Sequence, residues 1–113
     1  MEVRTKTIDQ GLYGMDNIII PKAIMYEDIY EESKIMFGSL FTEAVNNFAD
    51  KIESNGKNTV IEQIEDRMRD RIMCMSDSRI MVESCCYSVV KVRSIRKEVM
   101  ELIGKIDISV CID

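Results

Sequence analysis

The sequence contains no histidine and no tryptophan, and it has one proline among its 113 residues. Without histidine the chain lacks the usual base of Ser-His and Cys-His nucleophile pairs and the commonest protein ligand of transition metals. It also lacks the Gly-x-x-x-x-Gly-Lys and Gly-x-Gly-x-x-Gly motifs that cradle phosphates. Adjacent acids such as Glu27 and Asp28 point apart on a helix, which disfavours a catalytic carboxylate pair. The sequence therefore predicts a protein that is not an enzyme, with no catalytic residue, no cofactor and no metal.

The chain also has no apolar run long enough to cross a membrane, and its N-terminus, Met-Glu-Val-Arg-Thr-Lys, lacks the hydrophobic segment of a signal peptide. Its cysteines match neither a disulfide framework nor paired Cys-x-x-Cys zinc spacing. We expect reduced thiols, which are typical of intracellular proteins, and therefore a cytoplasmic protein with no membrane partner. The four cysteines are Cys74, Cys85, Cys86 and Cys111.

Charge is distributed unevenly along the chain. The net charge is -5, yet residues 24–66 carry ten acids and three bases, whereas residues 67–105 carry nine bases and five acids. This distribution suits attraction between two faces of one molecule, and it equally suits self-complementary association between molecules. The bases also suit a phosphate-bearing ligand such as an anionic nucleotide. The candidate ligand- or partner-binding residues are Arg67, Arg71, Lys91, Arg93, Arg96 and Lys97.

Three segments show the apolar spacing of helices. The first begins near Asp28 and carries all three phenylalanines on its apolar face, where they predict the aromatic centre of the core. A loop around Gly56 follows, and Thr59 and Glu62 form the predicted capping box of a second helix. Ser76-Asp77-Ser78 are capping residues, so the chain either turns there or continues as a helix long enough to need a second subunit.

The third segment, residues 81–106, repeats apolar residues every seven positions and is the predicted central helix. It has a second apolar stripe, which predicts an oligomer, because a helix that is apolar on most sides must be central or must meet another subunit. A strand near residues 85–93 is the alternative, since this stretch is rich in β-branched side chains. The candidate interface residues are Val82, Cys86, Val89, Met100 and Ile103.

Both ends of the chain show the alternation that is typical of short β-strands. Residues 2–8 alternate charged with β-branched side chains, and residues 106–113 alternate apolar with polar ones. The length fits a single domain spanning residues 1–113. The predicted fold is mainly α, an oligomeric three-helix domain with short N- and C-terminal β-strands, and it becomes α+β if residues 85–93 form a strand.

Two short segments resemble the opening of the winged-helix domain in plasmid and phage replication initiators. They are Ile-Ile-Ile-Pro-Lys-Ala-Ile at 18–24 and Glu-Ser-Lys-Ile-Met-Phe-Gly-Ser-Leu at 32–40. The resemblance implies a DNA-binding role. The chain departs from that family after residue 40, because the aromatic wing and the second recognition-type helix are missing and the matching segment is acidic.

Two functions of different classes fit this sequence. The first is a non-enzymatic oligomeric binding or inhibitory protein, such as a phage or mobile-element accessory protein, that engages a protein partner or a phosphate-bearing ligand. The alternative is a small DNA-binding regulator of transcription or replication that uses the basic face at 67–97. A steep loss of affinity with rising salt would favour the second, because phosphate contacts release counterions.

Overall fold

The computed structural model describes residues 27–111 and shows a mainly helical protein. Three long α-helices are joined through two shorter ones, and no β-strand occurs within that range. The strand predicted at residues 2–8 lies outside the described residues. The helices are α1 (Tyr30–Phe48), α2 (Ile52–Asn55), α3 (Lys57–Cys74), α4 (Asp77–Ser84) and α5 (Val89–Lys105).

One hydrophobic core joins the long helices, because α1 packs against both α3 and α5. Phe37 and Phe41 of α1 lie in it as a stacked pair, with ring centroids 6.5 Å apart. The apolar spacing predicted for the first two segments is confirmed, and that of the third holds from Val92 onwards, since these residues are buried at intervals of three and four. Besides the two rings, the core includes Leu40, Ala44, Val60, Ile64, Met68, Ile72, Val92, Ile95, Val99 and Leu102.

The second helix begins earlier than the capping box predicts. Gly56 adopts a φ of 85°, a conformation that suits glycine, and α3 begins at the next residue. The carbonyl of Gly56 accepts the first helical hydrogen bond from the N–H of Val60 at 3.2 Å. Thr59 therefore lies inside the first turn of α3 and does not cap it. The early start places Val60 in the core, where it is fully buried.

The interruption predicted at residues 76–78 occurs at Met75 and Ser76, and Asp77 is already the first residue of α4. The backbone of Met75 is extended, and Ser76 caps α4 by accepting a hydrogen bond on its Oγ from the N–H of Arg79 at 3.2 Å. A serine hydroxyl at this position satisfies one of the free N–H groups of a helix N-terminus. The long continuous helix that would have needed a second subunit for support is therefore not formed.

The single central helix predicted for residues 81–106 is wrong, because α4 ends at Ser84. Cys85 takes a left-handed conformation with φ 56°. Its N–H donates to the carbonyl of Val82 at 3.4 Å, and the N–H of Cys86 donates to that of Met81 at 3.0 Å. This pair of hydrogen bonds is the Schellman arrangement, which closes a helix by satisfying its last carbonyl groups.

The next helix begins after Ser88, whose Oγ accepts a hydrogen bond from the N–H of Lys91 at 3.5 Å. Ser88 interrupts the seven-residue apolar repeat, and it acts as the N-cap of this helix. The alternative strand near residues 85–93 is also wrong, because α5 begins at Val89 and the β-branched residues after it are helical. The fold of this part is therefore helix, tight turn and helix.

Replacing Cys85 by glycine should stabilise the protein by about 1 kcal/mol. A left-handed conformation costs a residue with a Cβ roughly 1–2 kcal/mol, and glycine avoids most of that cost while losing some unfolded-state entropy. Urea denaturation followed by circular dichroism measures the change. Cys85→Ala is the matched control, because it removes the thiol and keeps the Cβ. Equal stability of the two variants would contradict the assigned backbone strain.

The described end of the chain differs from the predicted C-terminal strand. Ile108–Cys111 form a 3₁₀ turn in place of the strand predicted over residues 106–113. The carboxylate of Asp107 accepts a hydrogen bond from the N–H of Ser109 at 3.1 Å, a local bond that favours a turn. Ile108 is buried in the core, which holds the turn against the helices.

Candidate functional site

The first two candidate cations, Arg67 and Arg71, share one carboxylate of the same chain. Arg67 Nη2 donates to Glu43 Oε1 at 3.1 Å, and Arg71 Nε lies 2.9 Å from the same oxygen. All three side chains are partly exposed, so each pair contributes modestly to stability. The geometry joins α3 to α1, and the Glu43 carboxylate neutralises part of the charge of the two arginines.

Lys91 is also paired within the molecule. Its Nζ donates to Glu32 Oε1 at 2.9 Å, which joins the first turn of α5 to the first turn of α1. This single hydrogen bond lowers the pKa of the Glu32 carboxyl and raises the pKa of the Lys91 amine. Lys91 therefore already has an ion-pair partner, Glu32, within the molecule.

Arg96 closes the turn between α3 and α4. Its Nε donates to the carbonyl of Ile72 at 3.2 Å, and its Nη2 donates to the carbonyl of Met75 at 2.7 Å and to Asp77 Oδ1 at 2.9 Å. The last carbonyl groups of a helix carry partial negative charge, so a guanidinium is well placed there. Arg96 therefore stabilises the turn between α3 and α4.

Arg93 and Lys97 differ from the other four candidate cations. Both are exposed on α5, and neither has a hydrogen bond or an ion pair within the described part of the chain. They lie four residues apart, so their side chains share one face of the helix. The structure therefore leaves these two of the six without a hydrogen bond or ion pair in the described residues, while the charge of Lys97 acts on the neighbouring Glu98 carboxyl.

The five candidate interface residues do not form one surface. Cys86 and Ile103 are buried in the core of the same chain, and Met100 is partly buried against that core. Val82 and Val89 are exposed, at 75% and 47% of their full accessibility. The second stripe thus divides into residues already covered within the molecule and residues that face solvent.

An exposed apolar cluster lies where α4 meets α5. Tyr87 is 92% exposed, Val90 is 73% exposed, and Val89 lies between them in the chain. We call these three residues the apolar corner. Val90 belongs to the second apolar stripe predicted from the sequence, but Tyr87 was not selected, because a continuous helix assigned no turn to this stretch. The signal that was available is Ser88, a capping residue that breaks the apolar rhythm and exposes the residues around it.

Glu98 is an isolated acid on the inner side of α5. It is only 3% exposed, and no hydrogen bond or ion pair to it occurs in the described part of the molecule. Burial raises the pKa of the Glu98 carboxyl, and the nearby charge of Glu101 raises it further, while Lys97 and Lys105 partly oppose the shift. Folding therefore shifts this carboxyl towards its neutral form relative to the unfolded chain.

Replacing Glu98 by glutamine should stabilise the protein near pH 7. The folded protein binds the Glu98 proton more tightly than the unfolded chain does, because folding raises the pKa of this carboxyl. This contribution to stability is fully present below the ordinary pKa of 4.5 and is lost as the pH rises through the folded-state pKa. The gain in stability from Glu98→Gln should therefore shrink as the pH falls towards 4.5. Urea denaturation at several pH values measures it, with Glu62→Gln, an exposed glutamate on α3, as control. A gain that is independent of pH would contradict this assignment.

Other kinds of site find no support in the described range. No helix there is long and apolar enough to cross a membrane, and no cluster of three or more Cys, Asp or Glu side chains is placed to hold a metal ion. Cys74, Cys85 and Cys86 are free thiols. Comparison of the chain with protein-family models, with curated proteins and with solved structures gives no match.

Proposed function

We propose that the protein is a non-enzymatic binding protein that engages another protein through the apolar corner and the adjacent cations Arg93 and Lys97. The observation that carries this proposal is the exposure of Tyr87, Val89 and Val90 beside two cations that have no internal partner in the described chain. An inhibitory role of the kind found among phage and mobile-element accessory proteins remains a prediction from the sequence.

The chemistry of the corner suits a protein surface. Tyrosine and arginine are enriched where proteins bind one another, and a rigid ring contributes a large contact area at a small entropic cost. Scattered exposed apolar residues are ordinary, but here three of them fall within four positions at the start of a helix. Covering these side chains removes apolar surface from water, which favours binding.

A DNA-binding regulator that uses the basic face at 67–97 receives less support. Arg67, Arg71, Lys91 and Arg96 all have partners within the molecule, so phosphate groups would have to compete with carboxylates or carbonyl groups for them. We expect no binding of duplex DNA at low salt. A fluorescence titration at several salt concentrations tests this, and tight binding with a steep salt dependence would favour the regulator.

Native mass spectrometry of the protein purified under mild conditions tests the proposed function. We expect the native chain to retain a protein partner, and the double variant Tyr87→Ser with Val90→Ser to lose it. Met73→Ser is the matched control, because Met73 is an exposed apolar residue, 59% accessible, that lies on α3. The proposal is wrong if the native chain carries no partner of any kind, or if the double variant retains it.

A further inference from the structure

We propose that Asn55 and Gly56 form a modification site, at which the Asn55 side chain cyclises onto the main chain and is then hydrolysed to aspartate and isoaspartate. This inference does not rest on the proposed function. It depends on the glycine that follows the asparagine, on the exposure of both residues, and on the shortness of α2, the helix that ends there.

Gly56 leaves the reacting nitrogen accessible. In the cyclisation the main-chain nitrogen of residue 56 attacks Cγ of the Asn55 side chain, so a side chain on residue 56 would crowd its path. Glycine has no Cβ. Among the described residues, apart from the chain neighbours, no atom lies within 4 Å of the position that a Cβ would occupy. The space around the nitrogen is therefore open to the side chain of Asn55.

The junction between α2 and α3 faces solvent. Residues 53–59 are all exposed, whereas Ile52 and Val60 on either side of them are buried in the core. Water and hydroxide, which are the other reactants, therefore reach Asn55 without entering the core. The two buried residues hold the ends of the junction, and the exposed stretch between them contains the reacting atoms.

A main-chain hydrogen bond restrains the reacting nitrogen in the folded protein. The N–H of Gly56 donates to the carbonyl of Ile52 at 2.8 Å, and Asn55 is the last helical residue of α2. This bond must open before the reaction, because the nitrogen has to lose its proton and approach the side chain. A helix as short as α2, which spans Ile52–Asn55, opens at little cost. We therefore expect the fold to slow the reaction without preventing it.

The reaction needs only hydroxide and water. Hydroxide removes the proton from the Gly56 nitrogen, the nitrogen forms a bond to Asn55 Cγ, and the bond from Cγ to Nδ2 breaks with loss of ammonia. Water then opens the cyclic imide at either carbonyl. Opening at Cγ gives aspartate, and opening at the main-chain carbonyl gives isoaspartate, which lengthens the main chain by a methylene group. Both products place a negative charge next to Gly56, the N-cap of α3.

Peptide mapping of the full chain by mass spectrometry, during incubation at mildly alkaline pH, tests the site. Asn58 is the matched control within the same chain, because it is also exposed and is followed by Thr59. We expect Asn55 to be converted at least about tenfold faster than Asn58, because threonine is β-branched whereas glycine has no Cβ. In denaturing urea the conversion of Asn55 should be faster than in the folded chain, by no more than about tenfold, since opening of α2 is then no longer required.

Isoaspartate at position 55 distinguishes the cyclic route from direct hydrolysis of the side-chain amide, which gives aspartate alone. Electron-transfer fragmentation of the peptide identifies it. The Asn55→Gln variant, whose longer side chain cyclises poorly, should show no conversion at this position, and circular dichroism confirms that it is folded. Equal conversion of Asn55 and Asn58 in the folded native chain, or aspartate without isoaspartate at position 55, would overturn the proposal.

Discussion

Replacement of Arg96 by methionine is expected to lower the free energy of unfolding by about 3 kcal/mol. The change removes three hydrogen bonds from a charged donor, two to helix-terminal carbonyl groups and one to Asp77. Hydrogen bonds to charged groups contribute roughly 1.5–3 kcal/mol each, and the partial exposure of Arg96 and Asp77 lowers their sum. Methionine keeps most of the apolar stem of the side chain, so the loss of the guanidinium dominates. Urea denaturation of the variant measures the effect.

Arg69→Met is the matched control for Arg96→Met. Arg69 lies on α3 and pairs only with Glu65 and Asp66 of the same helix, on the surface of the protein. Surface pairs of this kind contribute roughly 0–1 kcal/mol. If the two variants lose the same stability, Arg96 does not hold the turn between α3 and α4, and its availability to a ligand would have to be reconsidered.

Replacement of Phe41 by alanine is expected to cost about 4 kcal/mol, the largest effect of any single change considered for this chain. Phe41 is completely buried and stacks on Phe37 at the centre of the core, so its removal leaves a cavity between α1 and its neighbours. Thermal and urea unfolding measure the loss. Phe41→Leu should cost less because it keeps more of the volume, and it provides a folded comparison if the alanine variant is largely unfolded.

Phe48→Ala is the control for position along α1. Its ring is only partly buried and packs against the edge of the core, with Lys51 Nζ 5.2 Å from the ring centroid. Truncation there should cost less than half as much as at Phe41, because water can fill the space that the ring leaves. Similar losses at the two positions would contradict the assignment of Phe41 to the centre.

The helical faces of the core could be predicted from the sequence because they are local patterns. In α1, α3 and α5 the apolar residues repeat at three and four positions, and that spacing alone decides which side is buried. The break at residues 85–88 could not be predicted in the same way. It depends on Cys85 in a left-handed conformation, where glycine is the usual residue, and cysteine gives no warning of a helix end.

The candidate cations illustrate what local patterns leave out. The sequence identifies the six cations, but it does not show that Glu32 lies beside Lys91, 59 residues away, or that Glu43 lies beside Arg71, 28 residues away. Those neighbours are brought together only by packing of the helices. Which cations keep no internal partner therefore follows from the fold, and only the fold separates Arg93 and Lys97 from the rest.

The apolar corner shows the same dependence on the fold. In a continuous helix Val89 belongs to a stripe that faces another subunit along its whole length, together with Cys86 and Ile103. The structure places Cys86 and Ile103 in the core and leaves Val89 at the end of a helix beside Tyr87. The expectation of self-association stays a prediction from the sequence, and the exposed apolar surface is a compact corner instead of a long stripe.

Hydrogen–deuterium exchange on the chain purified with its retained protein partner, and on the chain freed of that partner, tests the central claim, that the protein binds another protein through the apolar corner, most directly. We expect amides of residues 85–93 to exchange more slowly in the complex, because the partner excludes water from that segment. Amides in the first turn of α3, at residues 57–61, should exchange at the same rate in both samples. Identical exchange over 85–93 in the two samples would contradict the account.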